Sequence, residues 1–162
     1  VQHPDTVFNN VPGSNWIRNL TIDAGARNPG AVGLDWQGAN NTDLRDLTLR
    51  AAPGSGAVGI DIRRGSIQGH NLRVTVDGFA TGIRQTVRPE PFTSWERLTL
   101  RGQRESSVYL AGGGMSLLDA TIVRPPGGYA IDVTHPAMPI IMRSRVRADV
   151  PFVRRTVSPP IR

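Results

Sequence analysis

Apolar and polar residues alternate in short runs that recur along the chain. Asn19-Leu20-Thr21-Ile22-Asp23 is followed by Asp46-Leu47-Thr48-Leu49-Arg50, Arg73-Val74-Thr75-Val76-Asp77, Arg97-Leu98-Thr99-Leu100-Arg101 and Asp119-Ala120-Thr121-Ile122-Val123. Alternation with a period of two predicts half-buried strands. The first apolar residue of each copy falls at 20, 47, 74, 98 and 120, so the unit shortens from 27 to 22 residues. Self-similarity at that period marks a solenoid or an array.

A second strand series follows the first after glycine-rich turns: Val32-Gly33-Leu34-Asp35, Val58-Gly59-Ile60-Asp61, Thr81-Gly82-Ile83-Arg84, Val108-Tyr109-Leu110-Ala111 and Ala130-Ile131-Asp132, with apolar anchors at 34, 60, 83, 110 and 131. A third apolar position recurs before each new unit at Leu44, Trp95 and Leu117, with Asn71 in that place once. Three short strands per unit, without helical periodicity, predict an all-β fold: a right-handed, single-stranded parallel β-helix of five to six coils of 22–27 residues. A β-sandwich with turns at similar intervals does not predict that every third strand looks alike. The expected organisation is a lead-in over 1–15, the β-helix over 16–147, and an irregular tail over 148–162.

In such a fold, residues one coil apart stack at about 4.8 Å. The first series then presents a threonine ladder, Thr21, Thr48, Thr75, Thr99 and Thr121, between two charged columns. One runs Asp23, Arg50, Asp77, Arg101, Val123 and the other Asn19, Asp46, Arg73, Arg97, Asp119, so opposite charges meet between coils. That face is accounted for structurally.

Candidate chemistry falls on the second series, whose outward column reads Asp35, Asp61, Arg84, Ala111, Asp132 beside small residues. Asp35 and Asp61, one rung apart, come near the ~5 Å carboxylate separation of a retaining glycosidase and are the candidate catalytic pair. Like charges that close would leave one group a proton to donate. Arg63, Arg84, Tyr109 and Asp132 are the candidate substrate-binding residues, the arginines for a carboxylate held bidentately and Tyr109 for stacking. The competing reading is an ordinary solvated column of ion pairs. Trp36 and Trp95 fall at core positions.

Composition narrows the partners. All 19 basic residues are arginine, and with 13 acids the net charge is +6; a basic chain attracts polyanions. Acidic polysaccharide is one such partner. Nucleic acid is not expected, because no arginine-rich run with interleaved aromatics occurs. There is no cysteine, and His3, His70 and His135 share no spacing, so neither disulfide nor metal nor cofactor is expected. No stretch is long and apolar enough for a membrane span. The chain starts Val1-Gln2-His3-Pro4, which fits excision from a longer polypeptide.

The runs Trp16 to Asp23, Asn28 to Gln37 and Leu44 to Leu49, with Val76 to Ile83 and Leu98 to Gln103, resemble coils of the pectate-lyase-like superfamily. They are most similar to the branch of β-1,3-glucanase-type glycoside hydrolases and their bacterial relatives. The resemblance covers residues 16 to about 123 and implies a secreted, polysaccharide-active β-helix. The glutamate such glucanases use has no counterpart here; Glu90, Glu96 and Glu105 all fall off the second-series column. Three functions remain open: a glycoside hydrolase or polysaccharide lyase, or the core segment of one; a non-catalytic carbohydrate-binding β-helix; and a structural or adhesin-like solenoid. Uncapped ends would add flanking coils or end-to-end self-association.

Overall fold

The computed structural model describes residues 15–38, 40–64, 68–86, 92–123, 127–134, 137–147 and 152–156. These residues form parallel sheets stacked as an all-β solenoid of about five turns, with no helix. The strands are β1 (Trp16–Asp23), β2 (Val32–Gln37), β3 (Asn40–Arg50), β4 (Val58–Arg64), β5 (Gln68–Asp77), β6 (Thr81–Gln85), β7 (Phe92–Glu96), β8 (Thr99–Arg101), β9 (Ser106–Leu110), β10 (Gly114–Leu118), β11 (Thr121–Val123), β12 (Tyr129–Thr134), β13 (Met138–Met142), β14 (Arg145–Arg147) and β15 (Val153–Thr156). β15 lies within the segment expected as an irregular tail and pairs with β12.

The first and third series share one nine-stranded sheet, and the second series forms a six-stranded sheet in the order β15-β12-β9-β6-β4-β2. In β1, β3 and β5 the third-series segment runs directly into the first-series segment, whereas later coils divide them, as in β7 and β8. The threonine ladder is present: Thr21 is level with Thr48, Thr48 with Thr75, Thr75 with Thr99, and Thr99 with Thr121. The third-series positions stack too, Asn71 on Trp95 and Trp95 on Leu117.

The column Asn19, Asp46, Arg73, Arg97, Asp119 is not an ordinary outward strand column. All five residues, and Arg143 above them, have φ between 46° and 55°. They form the corner at which each coil turns from the third series into the first. Asn and Asp accept this left-handed backbone readily, whereas arginine does so rarely. Arg73 reaches Asp46 with Nη2–Oδ2 at 2.7 Å, and Arg143 reaches Asp119 with Nη2–Oδ2 at 3.0 Å, so ion pairs bridge successive corners. Asp119 therefore takes Arg143, above it, as its hydrogen-bonded partner, where the sequence offers Arg97.

The core fills the space between the sheets. Leu47, Leu49, Val74, Val76, Leu98, Leu100 and Ile122 from the first series meet Ile60, Ile83, Val108 and Ile131 from the second, all buried. Trp36 and Trp95 are in the core as expected. Two buried glutamines tie neighbouring coils together. Gln85 donates to the carbonyls of Gly112 and Gly114 and accepts from Thr93, which itself receives Trp95 Nε1–H. Gln103 donates to the carbonyls of Val76, Gly78 and Arg101 and accepts from Ser107. Such satisfied networks fix one arrangement of the coils.

The carboxyls of the ladders give the fold a pH dependence. Gly25 N–H and then the Arg50 guanidinium hold Asp23 below its ordinary range, while hydrogen bonds from Arg73 and Arg143 do the same for Asp46 and Asp119. A carboxyl whose folded pKa lies below its unfolded value stabilises the fold fully above the unfolded value, near pH 4. That contribution disappears as pH falls through the folded value. The melting temperature is therefore expected to level off above about pH 5 and to drop progressively below about pH 4. Melting temperatures that hold or rise on acidification would show that these pairs contribute nothing.

Candidate functional site on the second-series sheet

The second-series strands do not alternate regularly, and that irregularity sets the site. A Cβ on Gly59 would lie 2.4 Å from Val76 Cγ1, and one on Gly33 would lie 2.9 Å from Leu49 Cδ2. These glycines therefore face the core, as do Ser107, which is wholly buried, and Ala130. The next residues, Ile60, Ile83, Val108 and Ile131, also lie in the core, so two consecutive residues point inward. The small residues are consequently not the shallow outer floor that strict alternation predicts. They let the chain bend into the core, and the outward positions fall three residues apart, as with Thr81 and Arg84 or Ser106 and Tyr109, which line one cleft.

The stacked register corrects one column member. Arg84 is level with Tyr109 and Tyr109 with Asp132, so Tyr109, not Ala111, stands in the charged column. Likewise Val108, not Leu110, is level with Ile83. Both Val108 and Leu110 point inward, so an apolar pattern of period two fits either alignment. The observed column is Asp35, Asp61, Arg84, Tyr109, Asp132, Arg154.

Asp35 and Asp61 are adjacent, as expected, but they do not form a bare carboxylate pair. Arg63 lies between them, with Nη2 3.1 Å from Asp35 Oδ2 and Nε 2.8 Å from Asp61 Oδ2. Arg84 closes a fork on Asp61 from the next coil, through Nε at 2.9 Å from Oδ1 and through a second contact from Nη2 to Oδ2. The Asp61 side chain is 0% exposed, against 43% for Asp35. Both Asp61 oxygens are thus occupied by guanidinium donors and out of reach of a substrate. Two carboxyl groups flanking a scissile bond are what glycoside hydrolysis needs, and here one of the expected two is sealed. The hydrogen bonds to Asp61 hold the Arg84 guanidinium above the ordinary arginine pKa.

The other end of the column is more open. Arg154 makes the same fork on Asp132, with Nε 3.0 Å from Oδ1 and a second contact from Nη2 to Oδ2. Its guanidinium also stacks over Tyr129 at 4.0 Å from the ring centroid. Tyr109 stands half-buried between these two forks. A cleft of about 550 Å³ opens above it, lined also by Arg84, Glu105, Asp132 and Arg154. Arg154 lay in the segment read as an irregular tail; only its place in the stacked register identifies it. Among the described residues no three His, Cys, Asp or Glu side chains converge as metal ligands; His3 and His135 lie outside those residues, as does Glu90.

The class this architecture defines is a parallel β-solenoid with a polar cleft on its second-series sheet. No family model, no curated protein and no solved structure matches the chain.

Proposed function

We propose that the second-series face binds a neutral polysaccharide chain without cleaving it. The observation that carries this reading is the Tyr109 ring placed between two carboxylate–guanidinium forks in one open cleft. A tyrosine offers an apolar face to a sugar ring and a hydroxyl to its polar rim. The forks on either side present edges fixed by their own ion pairs, so little side-chain freedom is lost on binding. The coil rise of about 4.8 Å repeats these groups along the axis, which suits an extended polymer.

Charge balance favours a neutral ligand over an acidic one. Arg63, Arg84 and Arg154 are each paired with Asp35, Asp61 or Asp132, so among the described residues the column has no excess of cations to attract a polyanion. The exposed arginines Arg145, Arg147 and Arg155 lie on the last strands, outside the column. Resemblance to the pectate-lyase-like superfamily supports a carbohydrate ligand and an extracellular setting. The burial of Asp61 argues for binding over hydrolysis.

Calorimetric titration with laminarihexaose, cellohexaose and xylohexaose tests the reading. At least one is expected to bind, and Tyr109→Ala is expected to weaken that binding about tenfold, the upper range for one aromatic contact. Unchanged affinity in Tyr109→Ala would remove the cleft from the function.

A further inference from the structure

The third-series face carries a separate cleft of about 490 Å³, lined by Trp16, Thr42, Asp43, Arg45, His70 and Phe92 among others. Trp16 is 60% exposed and Phe92 44% exposed. Isolated apolar side chains on a surface mean little, but these two rings share a construction. The Trp16 indole N–H is held on the Asn41 carbonyl at 3.1 Å, and Arg18 stacks on the ring at 5.0 Å. Phe92 rests on Gly114, where a Cβ would sit 2.5 Å from Phe92 Cδ2. Each ring therefore has one side fixed against the protein while much of its surface remains in solvent.

Between the rings lies a polar floor. Trp16 is level with Asp43, and His70 with Ser94, in one outward column that passes two residues from Phe92 and continues through Ser116 to Ile140. Three rungs separate the Trp16 and Phe92 coils, about 14 Å along the axis. Asp43 is held by Arg18 and Arg45, and His70 by Ser94 at 2.8 Å and Glu96 at 3.4 Å. Two buried polar atoms of cleft residues, Thr42 Oγ1 and Arg45 Nε, have no hydrogen-bond partner. One coil beyond Phe92 the outward residues are Gly114, Ser116 and Leu118, and in the next coil they are Met138, Ile140 and Met142, the last three all exposed. The cleft itself reaches from Trp16 to Phe92 and Ser94, so an aromatic ring stands at each end of it.

We propose that this cleft is a second glycan site, taking a neutral oligosaccharide of about three residues laid along the coil axis. Trp16 and Phe92 stack on the terminal rings, and the floor between them hydrogen-bonds the hydroxyls. Of the residues that line the cleft only Asp43 and Arg45 carry a fixed charge, and they pair with each other, which leaves no net charge to select an ionic ligand. This inference goes beyond the second-series reading and does not depend on it.

Trp36 and Trp95 are buried, so collisional quenching by acrylamide reports on Trp16. Laminarihexaose, cellohexaose or xylohexaose is expected to shield Trp16, and Phe92→Ala and Phe92→Leu are both expected to weaken the apparent affinity about tenfold. The leucine variant keeps apolar cover over Gly114, so its loss of affinity reports the ring and not the fold. Tyr109→Ala is expected to leave the shielding unchanged. The proposal is overturned if none of the three sugars shields Trp16, if the Phe92 variants shield as well as the parent, or if Tyr109→Ala abolishes the shielding.

Discussion

Arg84→Ala is expected to lower the stability of the protein by about 3 kcal/mol, read from urea denaturation midpoints. Asp61 is fully buried and takes both arms of the Arg84 fork. Without Arg84 its carboxylate keeps only the Arg63 Nε contact, at 2.8 Å. Removing one partner of a buried pair leaves a charge stripped of water and half satisfied, and that penalty typically reaches 3–5 kcal/mol. The lower figure is appropriate because Arg63 remains. Arg50→Ala, at the exposed Arg50–Asp23 pair, is the comparison and is expected to move the midpoint little. Equal effects in the two variants would mean that Asp61 is not enclosed as described.

Gly59→Ala is expected to destabilise by a similar amount, about 3 kcal/mol, at the upper end for overpacking a tight core. Its new Cβ would meet Val76 Cγ1 at 2.4 Å and the Gly82 carbonyl oxygen at 2.6 Å. A side chain could rotate away, but the Gly82 carbonyl belongs to the neighbouring coil and is fixed in the sheet. Relief therefore needs coils to separate, which costs packing and ladder hydrogen bonds together. Gly30→Ala meets nothing within 4 Å and is expected to be neutral. If thermal melts place the two alanine variants together, the inward bend of the second-series strands is wrong.

The fold was legible because it repeats. Thr21, Thr48, Thr75, Thr99 and Thr121 are spaced by the coil, and stacking like on like is the only use such spacing has. The place of Asn71 beside Trp95 was legible for the same reason. The corner was not, because Arg73, Arg97 and Arg143 adopt a left-handed backbone that arginine composition does not signal. The register around Tyr109 was lost because Val108 and Leu110 both face inward, so a slip of two residues preserves the pattern. The candidate pair Asp35 and Asp61 was correctly placed one rung apart. What alternation could not convey was the third dimension: Arg63 and Arg84 fold over Asp61 and bury it, turning an apparent carboxylate dyad into an ion-pair chain. Gln85 and Gln103 are polar residues outside the repeating apolar pattern, yet their side chains serve the interior.

The central claim, a face that holds a neutral glycan and leaves it intact, is tested most directly by one NMR titration of labelled protein with laminarihexaose, cellohexaose and xylohexaose. Amide resonances of Tyr109, Asp132 and Arg154 are expected to shift on addition of at least one of them, while the sugar's reducing-end signals stay constant over the experiment. New reducing-end signals growing with time would make the protein a hydrolase. Perturbations that leave Tyr109 and its neighbours untouched would place the binding elsewhere.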